Sequence, residues 1–152
     1  MADPTSIHHW QRLDERITTS GQPTEMELAE LARLGVRKVI NLALSNSPRA
    51  LPDEAASVNA LGMDYIQIPV DFADPTEADF ASFCAAMAAA EGTKIHVHCA
   101  ANYRVSAFFC RYRRDVLGID PAQAHAELER VWQPDAVWTA FIEQTSSVSD
   151  EG

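Results

Sequence analysis

Thr93-Lys94-Ile95-His96-Val97-His98-Cys99-Ala100-Ala101-Asn102-Tyr103-Arg104-Val105-Ser106 is the stretch that decides how this chain is read. Its first six residues are short, partly β-branched and follow Gly92, as expected of a buried strand. Beyond a short turn, Val105, Phe108, Phe109 and Tyr112 recur at three- and four-residue steps, which predicts a helix over about 105–117. A strand that runs through a cysteine into a tight loop and then a helix turns several backbone N–H groups toward one point. Such a nest binds an anion, and the helix dipole adds to it. The same field favours a thiolate, so Cys99 reads as a nucleophile. Arg104 offers a planar fork for two oxygens of a tetrahedral oxyanion. Ser106 offers a hydrogen bond to the sulfur when it must leave. Ala100, Ala101, Asn102, Tyr103 and Val105 complete the cradle. A lone cysteine at a strand end is by default a small buried hydrophobe; the combination of strand, His-Cys, loop, Arg, Ser and helix favours chemistry.

Working outward, strands and helices alternate. Leu13 to Ser20 is expected to hold a first strand, ended by Ser20-Gly21-Gln22-Pro23. Thr24 and Glu27 form a capping box ahead of Leu28, Leu31 and Leu34, and Gly35 stands where a left-handed cap is wanted. Val36–Leu42 and Met63–Val70 read as strands, with a helix over about 53–61 between them. Pro75-Thr76 opens a helix to about Glu91, Asp120-Pro121 opens another to about Trp132, and a last one runs over about 135–144. The alternation predicts an α/β domain with a mostly parallel central sheet and helices on both faces. Ligands of such sheets bind at the C-terminal strand ends, where Cys99 lies. One domain is expected over 1–152, with loose ends at 1–10 and 146–152.

Composition narrows the partners. Twelve Lys plus Arg against 22 Asp plus Glu, a formal net charge of −10, make a poor nucleic-acid surface. Arg111, Arg113 and Arg114 form the one basic cluster, expected to be a solvated helix face in which Arg111 or Arg114 eases the approach of anions. No apolar run approaches the roughly 18–20 residues of a membrane span, and no secretory leader is visible, so a cytoplasmic protein is expected. Cys84, Cys99 and Cys110 are an odd set without metal-ligand spacing. Cys84 and Cys110 fall in amphipathic helices and read as core, with a resolving-thiol role the lesser alternative. His96 and His98 share a strand face but find no third ligand at recognisable spacing, so no metal is expected. Trp132, Trp138 and Phe141 read as packing, and Tyr103 as either pocket rim or packing.

The segment Val97–Ser106 resembles the active-site loop of the cysteine-dependent phosphatases, specifically the small dual-specificity type. SGQPTEMELAELARLGVRKVINL (20–42) and YIQIPVDFADPTEADF (65–80) resemble a bacterial branch of that superfamily, and the likeness spans about Thr19 to Leu117. It implies hydrolysis of a phosphomonoester of a protein or small molecule, without cofactor, through a phosphocysteine at Cys99. By that likeness Arg104 binds the phosphoryl group, Ser106 assists thiolate departure, His98 orients the loop, and a phosphate or sulfate ion sits in the Cys99 loop. The leaving oxygen needs a carboxylic acid. Asp71, 28 positions before Cys99 at the end of the IPV strand, is the choice, with Asp74 in reserve; Asp74 before Pro75-Thr76 better suits a turn.

The chain departs from that family in one respect. Four residues separate Cys99 from Arg104, one fewer than the usual loop, and Asn102 stands near the place of its glycine. The shorter loop is expected to weaken the grip on the transition state; losing one oxyanion donor costs about 10²–10³ in rate. Four is also the spacing of rhodanese-type sulfurtransferases, which carry a persulfide, and this is the second reading. A catalytically silent anion-binding module is the third.

Overall fold

The computed structural model describes residues 3–144. Gln11–Arg12 (β1) and Ile17–Ser20 (β2) pair as an antiparallel hairpin across a turn; β2 is the strand expected within 13–20, and β1 precedes that stretch. Asp14 makes that turn, its carboxylate accepting from the amides of Arg16 and Ile17. Glu25–Leu34 (α1) starts on the expected capping box: Thr24 Oγ1 accepts from the Glu27 amide and Glu27 accepts from the Thr24 amide. It ends on Gly35 at φ 103°, a left-handed conformation that costs a residue with a Cβ.

Lys38–Asn41 (β3), Glu54–Ala60 (α2), Asp64–Gln67 (β4), Glu77–Ala89 (α3), Ile95–His98 (β5), Tyr103–Asp115 (α4), Pro121–Glu129 (α5) and Ala136–Glu143 (α6) follow. The five-stranded sheet runs β1-β2-β5-β3-β4, parallel throughout except for β1. Register aligns Ser20, His98, Asn41 and Gln67 across four strands, so Gly21, Cys99, Leu42 and Ile68 emerge along one edge. The expected fold class holds.

Side chains alternate across β5 and give the two faces different chemistry. Ile95 and Val97 enter the larger core, with Phe80 and Phe83 of α3, Phe108 and Phe109 of α4, and Trp138 and Phe141 of α6. On the opposite face a smaller core gathers Ile7, Leu28, Leu31, Val39, Val58 and Met63 under α1 and α2. His96 and His98, both fully buried, point away from the aliphatic face of β5 and meet polar partners instead.

Three expectations are corrected. Arg111, Arg113 and Arg114 are not a solvated face. Arg111 is 0% exposed, its guanidinium 4.0 Å from the Phe80 ring centre and 4.7 Å from that of Phe141, with two hydrogen bonds to Glu77. Arg113 pairs with Glu127, and Arg114 pairs with Asp115 and donates to the carbonyls of Ile142 and Gln144. A planar, weakly hydrated cation tolerates burial when stacked and paired, so these side chains tie α3, α5 and α6 to α4. Asp120 precedes α5 without a side-chain cap. The N-terminal end is packed from residue 3 rather than loose: Ile7 is 1% exposed, and the His8 carbonyl accepts from the Gly21 amide. The other loose end, 146–152, lies outside the described residues. Among the described residues no helix is long and apolar enough to cross a membrane.

Candidate active site

Cys99 leaves β5 at the aligned sheet edge, and the next residues are held by the end of β2. The Cys99 amide donates to the Ser20 carbonyl, and the Gln22 amide donates to the Ala100 carbonyl. Gly21 faces Ala101 so closely that a Cβ there would stand 2.6 Å from the Ala100 oxygen. Asn102 then turns the chain at φ 67°, in the left-handed region where Asn is better tolerated than most residues. That turn launches α4, with Arg104 on its first turn.

The helix start is bare. Asn102 supplies no side-chain cap; its Nδ2 donates instead to the His9 carbonyl and Thr19 Oγ1. The first amides of a helix have no intrahelical acceptor, and those of Ala100 and Ala101 meet none among the described residues. Both residues line a cavity of about 370 Å³, together with Cys99, Tyr103, Arg104, Asp71, Phe72 and the loop 44–48. Cys99, 1% exposed, forms part of its wall. Among the described residues no hydrogen bond reaches the sulfur. Burial pushes the thiols of Cys84 and Cys110 up to about 11, which keeps both protonated.

Arg104 reaches the cavity despite the four-residue spacing. Its Nη1 donates to the Val70 carbonyl at 2.9 Å and its guanidinium lies 5.7 Å from the Phe72 ring centre. Arg104 Nε is buried without a partner, a donor that a bound oxyanion would satisfy. Asp71 is exposed on the cavity wall, its Oδ1 accepting from the Ala73 amide. Asp74 is absent from that wall; its amide donates to the Asp71 carbonyl, the turn role.

Three expected site residues sit elsewhere. Ser106 Oγ donates to the Tyr103 carbonyl and accepts from Trp132 Nε1, so it is not brought to the sulfur. Val105 points into the large core, 0% exposed, because its position on α4 faces the sheet. Asn102 contributes its backbone turn while its side chain faces the N-terminal segment. Tyr103 does both things considered for it: it lines the cavity and stacks on Trp132 at 4.3 Å with rings 2° from parallel.

Sequence reasoning missed four contributors. Glu54, 7% exposed, faces His98 Nε2 with one carboxylate oxygen and accepts from Gln22 Nε2 with the other. Trp138 Nε1 donates to the Phe72 carbonyl beside Asp71, and Trp132 fixes Ser106, so these indoles do more than pack. His9 meets the Ala101 carbonyl through Nδ1 at 2.7 Å. A glutamate in the first turn of a helix reads as a dipole partner, and nothing in the spelling of residues 52–56 announces a histidine across the sheet. Among the described residues no cluster of three or more His, Cys, Asp or Glu side chains is placed to hold a metal ion.

A parallel sheet whose central strand hands a cysteine to an uncapped helix start, with an arginine one turn on, defines a dual-specificity phosphatase-like fold. Over residues 10–111 the sequence matches the family described as Beta-lactamase hydrolase-like protein, phosphatase-like domain, and the chain belongs to that family. A Beta-lactamase hydrolase-like protein of Xylella fastidiosa (strain 9a5c) is 32% identical over 154 residues, which cover 90% of this chain and 36% of that protein. The chain spans between 21% and 36% of the length of the curated relatives it matches. A DUF442 phosphatase candidate of Shewanella putrefaciens CN-32 is 33% identical with a TM-score of 0.82, over 98% of this chain and 96% of that one. TpbA of P. aeruginosa, solved in complex with pTyr, shares the fold at a TM-score of 0.77 and 21% identity, over 98% of this chain and 91% of that one.

Proposed function

We propose that this domain hydrolyses phosphomonoesters through a phosphocysteine at Cys99. The observation that carries the reading is the unpartnered Nε of buried Arg104, set on the same cavity as the Cys99 side chain and the bare start of α4. Those donors suit a tetrahedral oxyanion. The Cys99 thiolate attacks phosphorus, forming the S–P bond as the P–O bond to the leaving group breaks. Asp71 gives its proton to the departing oxygen. The resulting Asp71 carboxylate then takes a proton from water as that water's oxygen attacks phosphorus, releasing phosphate and restoring both side chains. His98 and the β2 end hold the loop, and no step calls on a metal or an organic cofactor.

Leu44, Pro48, Phe72 and Tyr103 give the cavity apolar walls, and Arg104 is the one cation lining it among the described residues. That supports an ester of a single phosphoryl group with an apolar or aromatic alcohol, rather than a polyphosphate needing several cations. Three free cysteines suit a reducing, cytoplasmic setting.

The test is hydrolysis of p-nitrophenyl phosphate, beside sulfur transfer from thiosulfate to cyanide, by wild type, Cys99→Ser and Asp71→Asn. Phosphate release lost in Cys99→Ser and slowed in Asp71→Asn is expected. Sulfur transfer without phosphate release would favour the persulfide chemistry to which the four-residue loop is also suited. Neither activity, with retained phosphate binding, would leave an anion-binding module.

A further inference from the structure

We propose that Glu54 is a positioning residue for Cys99: its carboxylate keeps the His98 ring doubly protonated, with the cation directed at the base of the cysteine loop. The argument rests on what each neighbour of His98 can do. Nε2 lies 2.5 Å from Glu54 Oε2, and Nδ1 lies 3.3 Å from the Cys99 carbonyl oxygen. A carboxylate and a carbonyl only accept, so each ring nitrogen must bring a proton, and a ring with two N–H groups is an imidazolium. Glu54 is itself fixed, buried at the start of α2, with Oε1 accepting from Gln22 Nε2.

His96, two residues back on the same face, is the internal contrast. Its Nδ1 and Nε2 each meet a hydroxyl at 2.8 Å, from Thr18 and Ser20. Ser20 Oγ donates to the Gly21 carbonyl and accepts from Nε2–H, while Thr18 Oγ1, which also lies 3.4 Å from the Ile95 carbonyl, is a hydroxyl that can turn its proton to Nδ1, so a ring with a single proton satisfies both contacts. Burial, and then the neighbouring His98, hold the His96 pKa well below the ordinary 6.5, so this ring is neutral. Two fully buried histidines on one strand thus hold different charges because one faces a carboxylate and the other faces hydroxyls.

The remaining groups around His98 do not replace Glu54. The adjoining strands present Ser20 from β2 and Asn41 from β3, both uncharged, and Tyr65 of β4 is held as the neutral phenol by burial. Without Glu54, a buried imidazolium would lose its proton rather than stand alone. The cysteine would then lose a positive charge one residue away, on the strand that delivers it, and would need a higher pH to become a thiolate.

This inference rests on the phosphatase reading only where turnover is measured, so the decisive readout does not use turnover. The rate of Cys99 alkylation by iodoacetamide is followed against pH by mass spectrometry of the Cys99 peptide, in wild type, Glu54→Gln, His98→Gln and the double variant. Glu54→Gln is expected to move the midpoint up by about one pH unit or more. His98→Gln is expected to give a similar displacement and the double variant no further one, the mark of two residues acting as a unit. The acid limb of kcat/KM should shift by the same amount. A Glu54→Gln midpoint that superimposes on wild type overturns the proposal, and so does a uniform loss of activity at every pH with the midpoint unmoved. If Glu54→Gln does not fold, an unmoved midpoint in His98→Gln overturns it equally. A shifted alkylation midpoint in a protein that hydrolyses no phosphate ester would sink the function and leave this inference standing.

Discussion

Arg104 Nη1 donates to the carbonyl oxygen of Val70 at 2.9 Å, which joins a cation of the cavity wall to the residue immediately before Asp71. On the other side of Asp71, Trp138 Nε1 holds the Phe72 carbonyl at 2.8 Å. The carboxylate proposed as the acid therefore stands between two clamped carbonyls. One clamp is Arg104, proposed to bind the oxyanion, and the other comes from α6, beyond the family match that ends at residue 111.

Trp138→Phe keeps an aromatic ring against Phe108 and Phe141 but removes the N–H that fixes the acid loop. The lost hydrogen bond should cost about 1 kcal/mol of stability. With Asp71 less well placed, kcat should fall more than KM rises. Thermal unfolding and steady-state kinetics on an aryl phosphate separate the two effects.

Arg104→Lys exchanges a planar fork for a point charge and loses the unpartnered Nε donor. A fall of about 10²–10³ in kcat/KM is expected, with far-UV circular dichroism unchanged. A variant with near-wild-type turnover would show that the short loop does not use its arginine.

Gly21→Ala sets a methyl group 2.6 Å from the Ala100 oxygen and 2.7 Å from His8, so the cysteine loop must move. Displacing a nucleophile by about 1 Å costs on the order of 10²-fold in rate. Gly62→Ala is the matched control: Gly62 sits at φ +82° with nothing within 4 Å of a new Cβ. It should lose about 1 kcal/mol of stability through backbone strain and keep its turnover.

The neutral state of His96 sets a pH dependence of stability. Burial, and then the His98 charge, hold its pKa well below the ordinary 6.5, so the unfolded chain binds a proton here that the fold refuses. Stability is complete above pH 6.5 and declines as pH falls below it, at up to about 1.4 kcal/mol per pH unit from this group. Melting temperatures from pH 7.5 to 5 should show the decline, and His96→Gln should flatten it.

The legible parts of the sequence were those governed by local rules. Thr24, Glu27 and Gly35 announced α1 because a cap is satisfied within a few residues of itself. Cys99, Arg104 and Asp71 line one cavity, a grouping legible because strand ends align in a parallel sheet, and Asn102 takes the left-handed turn its side chain permits. What stayed hidden depends on contacts distant in sequence. Arg111 looked like surface because its two aromatic partners and Glu77 arrive from α3 and α6. Ser106 looked like a partner for sulfur because only the folded chain puts the Trp132 indole on its hydroxyl. Glu54 lies 44 residues from His98, a separation at which no periodicity speaks.

The central claim is that Cys99 carries the phosphoryl group between two steps. Asp71→Asn, which lacks the carboxylate that activates water, should accumulate that intermediate. The most direct measurement is an acid quench of Asp71→Asn during turnover of an aryl phosphate, followed by mass analysis of the Cys99 peptide. The account predicts the mass of one phosphoryl group on that peptide, absent when Cys99→Ser is combined with Asp71→Asn. An unmodified Cys99 peptide during continuing phosphate release would contradict it.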